Sequence, residues 1–215
     1  MMVQLKPQGP TDKHGVRKVH LSGGQELFGE GDVPRALYQV ELGAIKLVRS
    51  STTGRDSVVE VLGVGDFFDL PSLLDGEAYM VGAYACASGP VRVARIEREI
   101  ALQDSALVRD AQKQYLTRLR FQRRMAAAIA TERVEHRALL ALEMLAQRWG
   151  IRYEPNRLAF PMPLSRQEFG ELIGTTTETA IRVLSDLRKK GWLQEDQRLI
   201  TLYKLCETLE SRVSL

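Results

Sequence analysis

Two hydroxyl–carboxylate pairs near the C-terminal end have the spacing of helix starts. Ser165 stands three residues before Glu168, and Thr175 stands three residues before Glu178. In a capping box a Ser or Thr hydroxyl accepts from the backbone N–H three residues on, and the acid reaches back to the N–H of the first residue. The first pair predicts a short helix over 166–173, and the second predicts a helix that opens just after it. Gly174 lies between them and can turn the chain with φ > 0. In the second helix Ala180, Val183, Leu184 and Leu187 recur at i, i+3, i+4 and i+7, a core stripe. Thr177, Glu178, Ile181, Arg182 and Ser185 fall on the other side. Arg182 and Glu178 are types that read base edges: a guanidinium donates to O6 and N7 of guanine, and a carboxylate accepts from N4 of cytosine. An i,i+4 ion pair on a solvated face explains the same two residues with no ligand at all, and the spacing leaves both readings open. Arg188, Lys189 and Lys190 suit the negative end of the helix dipole and are also types that touch phosphates. Gly191 stops the helix. Trp192–Leu193 and Arg198–Leu202 then predict two short strands around Glu195-Asp196-Gln197, a β wing behind a helix-turn-helix.

Other chemistry fails on inventory. The chain has three histidines, His14, His20 and His136, and two cysteines, Cys86 and Cys206, all far apart. They form no metal-ligand spacing and no redox pair, and an iron–sulfur cluster needs about four cysteines. No nucleophile elbow or phosphate loop is present. The expectation is a protein that is not an enzyme, with no metal and no cofactor. Cys86 sits in an apolar strand as a small core residue.

The elements that must carry the reading head follow from the rest of the chain. Of 215 residues, 44% are hydrophobic and 27% charged with mixed signs, which suits one or two globular domains rather than disorder. The net charge of +3 permits contact with nucleic acid without demanding it. Residues 1–15 contain Pro7, Gly9 and Pro10 with little apolar content and are expected to be loosely ordered. Residues 16–96 read as β: short apolar runs broken by Gly23-Gly24, Thr53-Gly54, Gly63 to Asp66, Asp75-Gly76 and Gly89-Pro90 suggest a sandwich or barrel. From Val91 to Trp149 there is neither Gly nor Pro, and helix formers dominate. Leu116, Leu119, Met125, Ala126 and Ile129 lie near heptad spacing, so this long helix is expected to pack on a second copy of itself, with packing on its own barrel as the alternative. Arg118, Arg120, Arg123 and Arg124 are read as its solvated face. Thr131 is expected to cap a second helix that Gly150 ends, and residues 151–163 read as a connector or short strands. No apolar run reaches the ~20 residues that span a bilayer, and no signal peptide is evident; the expectation is a cytoplasmic protein without membrane contact.

The segment Leu164-Ser165-Arg166-Gln167-Glu168, with Gly170, Ile173-Gly174, Glu178-Thr179, Arg182, Leu184 and Leu187, resembles the winged helix-turn-helix of the CRP/FNR bacterial transcription regulators. Phe28-Gly29-Glu30-Gly31-Asp32, Leu37-Tyr38, Gly43 to Leu47 and Gly65-Asp66-Phe67-Phe68 are similar to that family's cyclic-nucleotide-binding-type barrel, and the likeness runs over roughly 20–203. The resemblance implies an α+β chain: a jelly-roll β-barrel over 1–98, a dimerisation helix over 99–130 and a winged helix-turn-helix over 131–215. It implies a homodimer on a two-fold symmetric site in double-stranded DNA, with RNA polymerase as the partner recruited or blocked. It assigns base reading to Thr177, Glu178 and Arg182, and phosphate contact to Ser165, Arg166, Thr176, Lys189 and Lys190. Thr177 departs from the cyclic-AMP receptor type, which carries Arg there, whereas Glu178 and Arg182 keep a G·C pair in each half-site.

The barrel departs further. Members that bind cyclic AMP carry Gly-Glu after the Gly-Asp-Phe turn and Arg-Ser or Arg-Thr about ten residues later. Here Asp69-Leu70 replaces the first pair, and Glu77-Ala78-Tyr79-Met80-Val81 offers no cation to a phosphate. A buried phosphate without a counter-charge is strongly disfavoured. A degenerate pocket over Phe68, Asp69, Leu70, Tyr79 and Met80 is expected, with regulation independent of cyclic AMP. The alternative is that the altered pocket holds some other effector.

Overall fold

A computed structural model describes residues 15–203, apart from 53, 55, 88, 155 and 156. The N-terminal segment, His14 and Cys206 lie outside the described residues. The chain forms two compact units, residues 1–120 and 121–215.

In the first unit, alternation of apolar and polar residues yields eight strands: β1 (Val16–Leu21), β2 (Glu26–Phe28), β3 (Ala36–Leu42), β4 (Ile45–Ser50), β5 (Asp56–Leu62), β6 (Phe67–Phe68), β7 (Gly82–Ala85) and β8 (Val91–Glu97). They pair into two four-stranded antiparallel sheets, ordered β1-β8-β3-β6 and β2-β7-β4-β5, the double-sheet plan of a jelly roll. The turn from β3 to β4 requires glycine. Gly43 has φ 75°, and a Cβ there would lie 2.6 Å from the Pro90 carbonyl oxygen. Val19, Leu21, Val40, Ile45, Leu62, Ala83 and Val93 share one buried core between the sheets.

Helix α1 (Leu70–Asp75) links β6 to β7, and α2 (Arg98–Gln103) follows β8. The expected single helix from residue 99 is broken at Asp104, whose φ/ψ of −92°/92° is extended. Its Oδ1 accepts from the N–H groups of Ala106 and Leu107 at 3.0 Å each, so Asp104 caps the long helix α3 (Ser105–Thr131). The first turns of α3 pack on the barrel. Ala111, with Leu107 and Tyr115 beside it, meets Leu37, Phe67, Leu70, Leu73, Ile96 and Ala101. Arg118 therefore corrects the sequence reading. It is buried against the barrel with its Nε 2.5 Å from Oε1 of Glu60, whereas Arg120, Arg123 and Arg124 are exposed. Among the expected dimer-seam residues, Leu116 (55%) and Ile129 (43%) are exposed, as is Ala126, and Leu119 is half-buried. Met125, by contrast, is already buried within the single chain.

In the second unit Thr131 does not start a helix. Its hydroxyl donates to the Ala127 carbonyl at 2.9 Å, one turn back in α3, and Arg133 precedes α4 (Val134–Trp149). Helix α4 buries Ala138, Leu140, Ala141, Leu142, Leu145 and Ala146. Then follow β9 (Ile151–Glu154), β10 (Arg157–Pro161), α5 (Arg166–Leu172), α6 (Thr177–Lys189), β11 (Leu193–Asp196) and β12 (Leu199–Tyr203). The wing hairpin turns at Gln197-Arg198, with Asp196 opposite Leu199, one residue later than the sequence suggests. It is also larger than a hairpin: β12 pairs with β10 and β10 with β9, giving a four-stranded sheet ordered β11-β12-β10-β9. This sheet and α4 back α6.

Candidate nucleic-acid interface

Helix α5 opens with the capping box expected of it. The Ser165 hydroxyl accepts from the Glu168 N–H at 3.2 Å, and the Glu168 carboxylate accepts from the Ser165 N–H at 2.6 Å. Glu168 is buried by this arrangement. The turn to α6 depends on two glycines. Gly174 has φ 66°, and its carbonyl accepts from Nη1 of Arg137 at 3.1 Å. Gly170 lets the turn fold back over α5: the Thr175 N–H donates to its carbonyl at 2.9 Å. A Cβ on Gly170 would stand 3.2 Å from the carbonyl oxygens of both Thr175 and Thr176.

Because the Thr175 N–H serves the turn, the cap of α6 falls one residue later than the spacing suggests. Thr176 is extended at φ/ψ −78°/160°, and its hydroxyl accepts from the Thr179 N–H at 3.3 Å. Glu178 is thereby not a capping-box acid. It is fully exposed, and its own backbone N–H, followed by the Thr176 hydroxyl, holds its carboxylate below the usual carboxylate range. It is an ionised acceptor at neutral pH.

Helix α6 sorts its faces sharply. Ala180, Leu184 and Leu187 are buried, and Val183 is half-buried. Thr177 and Ser185 are half-exposed, and Glu178, Ile181 and Arg182 are exposed. Among the ion pairs of the described residues, none joins Glu178 to Arg182. Their side chains point outward as separate donor and acceptor groups.

The cations at the rim divide into two kinds. Lys189 is 76% exposed, with only a loose 3.8 Å approach to Asp186. Lys190, by contrast, sets its Nζ 2.7 Å from both carboxylate oxygens of Glu135 on α4 and lies 5.4 Å from the Trp192 ring centroid. Arg166 is paired with Glu195 on β11. Lys190 and Arg166 thus act as struts that tie α6 to α4 and α5 to the wing, a role that their reading as phosphate contacts did not include. The pairings with Glu135 and Glu195 went unnoticed in the sequence because these acids lie 55 and 29 residues from their partners, with no local pattern.

The barrel interior is filled by aromatic rings. Phe28 and Tyr79 have centroids 3.9 Å apart, Tyr38 and Phe68 5.3 Å, Phe28 and Tyr38 5.4 Å. The turn at Gly29 to Asp32 fastens this cluster: the Gly31 N–H donates to the Tyr79 carbonyl at 2.8 Å, and the Tyr79 N–H to that of Asp32 at 3.0 Å. Of the residues expected to line a pocket, only Phe68 and Tyr79 belong to this interior cluster. Leu70 packs instead in the cluster beneath α2 and α3. Met80 is 69% exposed. Asp69 adopts φ 66° ahead of α1. Burial pushes its carboxyl up to about 8, although the Tyr79 and Ser72 hydroxyls oppose this. Burial also raises the phenols of Tyr79 and Tyr38. Asp69 Oδ2 and Tyr79 Oη are buried without a well-formed hydrogen bond. Phe28 and Tyr38 were overlooked as pocket fillers, though both sit at inward positions of their strands.

Among the described residues, no cluster of His, Cys, Asp and Glu could hold a metal, and no helix is long and apolar enough to cross a membrane.

Comparison with known proteins agrees with this architecture. Residues 18–103 match the cyclic nucleotide-binding domain, and residues 114–207 match the Crp-like helix-turn-helix domain. The chain is 26% identical over 193 residues to a CRP-like cAMP-activated global transcriptional regulator of Mycobacterium tuberculosis, covering 87% of this chain and 84% of that one. It is likewise 26% identical over 185 residues to the global nitrogen regulator of Synechococcus elongatus, covering 84% and 82%. In fold it is similar to FixK2 from Bradyrhizobium japonicum, with a TM-score of 0.74 at 23% identity, covering 87% of this chain and 92% of that one. These relatives are transcription regulators and not enzymes. Carrying the two matched domains in order, with an exposed polar face on the second helix of the helix-turn-helix, the chain belongs to the CRP/FNR family of DNA-binding transcription regulators.

Proposed function

We propose that the chain acts as a homodimer that reads a two-fold symmetric DNA site and does so without cyclic AMP. The observation that carries the reading is the outer face of α6, where Thr177, Glu178 and Arg182 stand outward over a buried Ala180–Leu184–Leu187 stripe. Arg182 donates to guanine, Glu178 accepts from cytosine, and Thr177 adjusts the neighbouring contact. Ser165, Thr176 and Lys189 hold phosphates; the Ser165 hydroxyl uses only acceptor capacity in capping and keeps a proton to donate, whereas the Thr176 hydroxyl must turn its proton away from the Thr179 hydroxyl, 3.2 Å off, to do so. Dimerisation is supported by the exposed Leu116, Ala126 and Ile129 along a 27-residue helix. Two copies joined there present two recognition helices to half-sites about 34 Å apart, and binding near a promoter recruits or blocks RNA polymerase.

Independence from cyclic AMP is supported by the rings in the barrel interior, by Leu70 turned into another cluster and by the absence of any cation over 77–81. A second reading, an effector other than a cyclic nucleotide, draws on the buried Asp69 Oδ2 and Tyr79 Oη without good partners. Selection of bound DNA by purified protein with no added small molecule separates the two. A palindrome containing a G·C pair is expected without effector. A protein that stays monomeric, or selects no sequence until a ligand is supplied, defeats the main reading, as does calorimetry showing micromolar binding of cyclic AMP or cyclic GMP.

A further inference from the structure

One side chain on the outer face of α6 has no task in the reading above. Ile181 is 50% exposed, one residue before Arg182 and three after Glu178, on a face otherwise made of Thr, Glu, Arg and Ser. It lies outside the buried stripe of its helix. A β-branched residue is a poorer helix former than the Lys, Arg or Glu that an ordinary solvated face carries there. Lone exposed apolar residues are common on protein surfaces, but this one stands between the two charged groups that face the bases.

We propose that Ile181 is a specificity-determining residue whose side chain packs on the 5-methyl group of a thymine beside the G·C pair read by Glu178 and Arg182. The proposal rests on α6 being the base-reading helix. The chemistry names the occupant. Base edges in the major groove present donors and acceptors with a single apolar exception, the thymine methyl. Ile181 can neither donate nor accept, so an amino group set against it would lose water without gaining a partner. Its branched Cβ restricts χ1, so little rotamer freedom is lost when it is pressed against the methyl.

The test uses the full chain and its own selected site. Each thymine is replaced in turn by deoxyuridine, which removes only the methyl group. At one position per half-site, wild-type binding is expected to weaken about fourfold, and about 15-fold when both half-sites are changed, the loss corresponding to one buried methyl each. Ile181→Ala is expected to bind thymine and uracil sites alike while keeping its G·C preference, which shows that the head still folds and docks. A site with no thymine next to the G·C pair overturns the proposal, as does wild-type indifference to uracil or an Ile181→Ala variant that still discriminates. Those outcomes leave Glu178 and Arg182 as readers. Selection of no sequence at all, by contrast, removes the reading surface and this proposal with it.

Discussion

Arg118, on α3, and Glu60, on β5, form an ion pair with both side chains buried at 7% and 9% exposure. Such a pair is weak evidence for stability, since taking two charges from water offsets much of their attraction, but removing one partner strands the other. Arg118→Met is expected to destabilise the barrel unit by about 3–5 kcal/mol. The double variant Glu60→Leu/Arg118→Met should recover most of that loss. Urea denaturation of the four proteins of this cycle provides the measurement, and additive losses would show that the two charges do not depend on each other.

Arg182→Ala is expected to cost roughly 1–3 kcal/mol of DNA binding and to relax the preference at a single position of each half-site. A selected-site profile compared with wild type reads this directly. An unchanged profile would remove Arg182 from the readers.

Lys189 and Lys190 are adjacent in sequence but should behave differently. Lys189→Ala is expected to weaken binding to every duplex alike and to reduce the slope of log K against log salt by about 0.9, the contribution of one phosphate contact. Lys190, held by Glu135, should act on the fold instead. With both groups partly exposed its ion pair is worth about 1 kcal/mol or less, and Lys190→Ala should leave the salt slope nearly unchanged. Equal slopes for the two variants would contradict the division.

Burial holds the Asp69 carboxyl protonated up to about 8, against 3.8 for an unperturbed group. Between those values the folded chain binds more protons than the unfolded one, so stability falls as pH rises through the window. Above it both states are ionised and the fall ends. Asn keeps the shape and tolerates the left-handed backbone at this position. Asp69→Asn should therefore be the more stable protein near pH 8 and should lose the slope, as thermal midpoints taken from about pH 5 to 9 would reveal. A wild-type midpoint that climbs across that range would contradict a buried neutral carboxyl.

Much of this was legible in the chain itself, and the failures have physical reasons. The capping box at Ser165, the turn at Gly174 and the stripe on α6 were readable because each is a local pattern. The cap at Thr176 was misplaced by one residue because the Thr175 N–H is taken by the Gly170 carbonyl five residues back, a 6→1 bond closing the end of α5 that the hydroxyl–acid spacing does not register. Arg118 looked like one more cation on a solvated face, since nothing near it in sequence announces Glu60. Leu70, Met125 and Met80 were misassigned for a related reason: apolar character indicates that a side chain wants cover but not which cluster supplies it. The thymine-facing role inferred for Ile181 was hidden in plain view, as a residue noticed on the outer face and given no chemistry.

The empty space at Gly170 separates two kinds of evolutionary change. On the proposed reading, exchange of the exposed Glu178, Ile181 and Arg182 redirects the protein to a new operator, because they lie outside the buried stripe of α6. Gly170 has less freedom, since an added methyl would stand 3.2 Å from two carbonyl oxygens of the turn, which would have to give by a few tenths of an ångström. An alanine there acts on the aim of α6 rather than on any one base contact, so whatever it costs is shared by every operator.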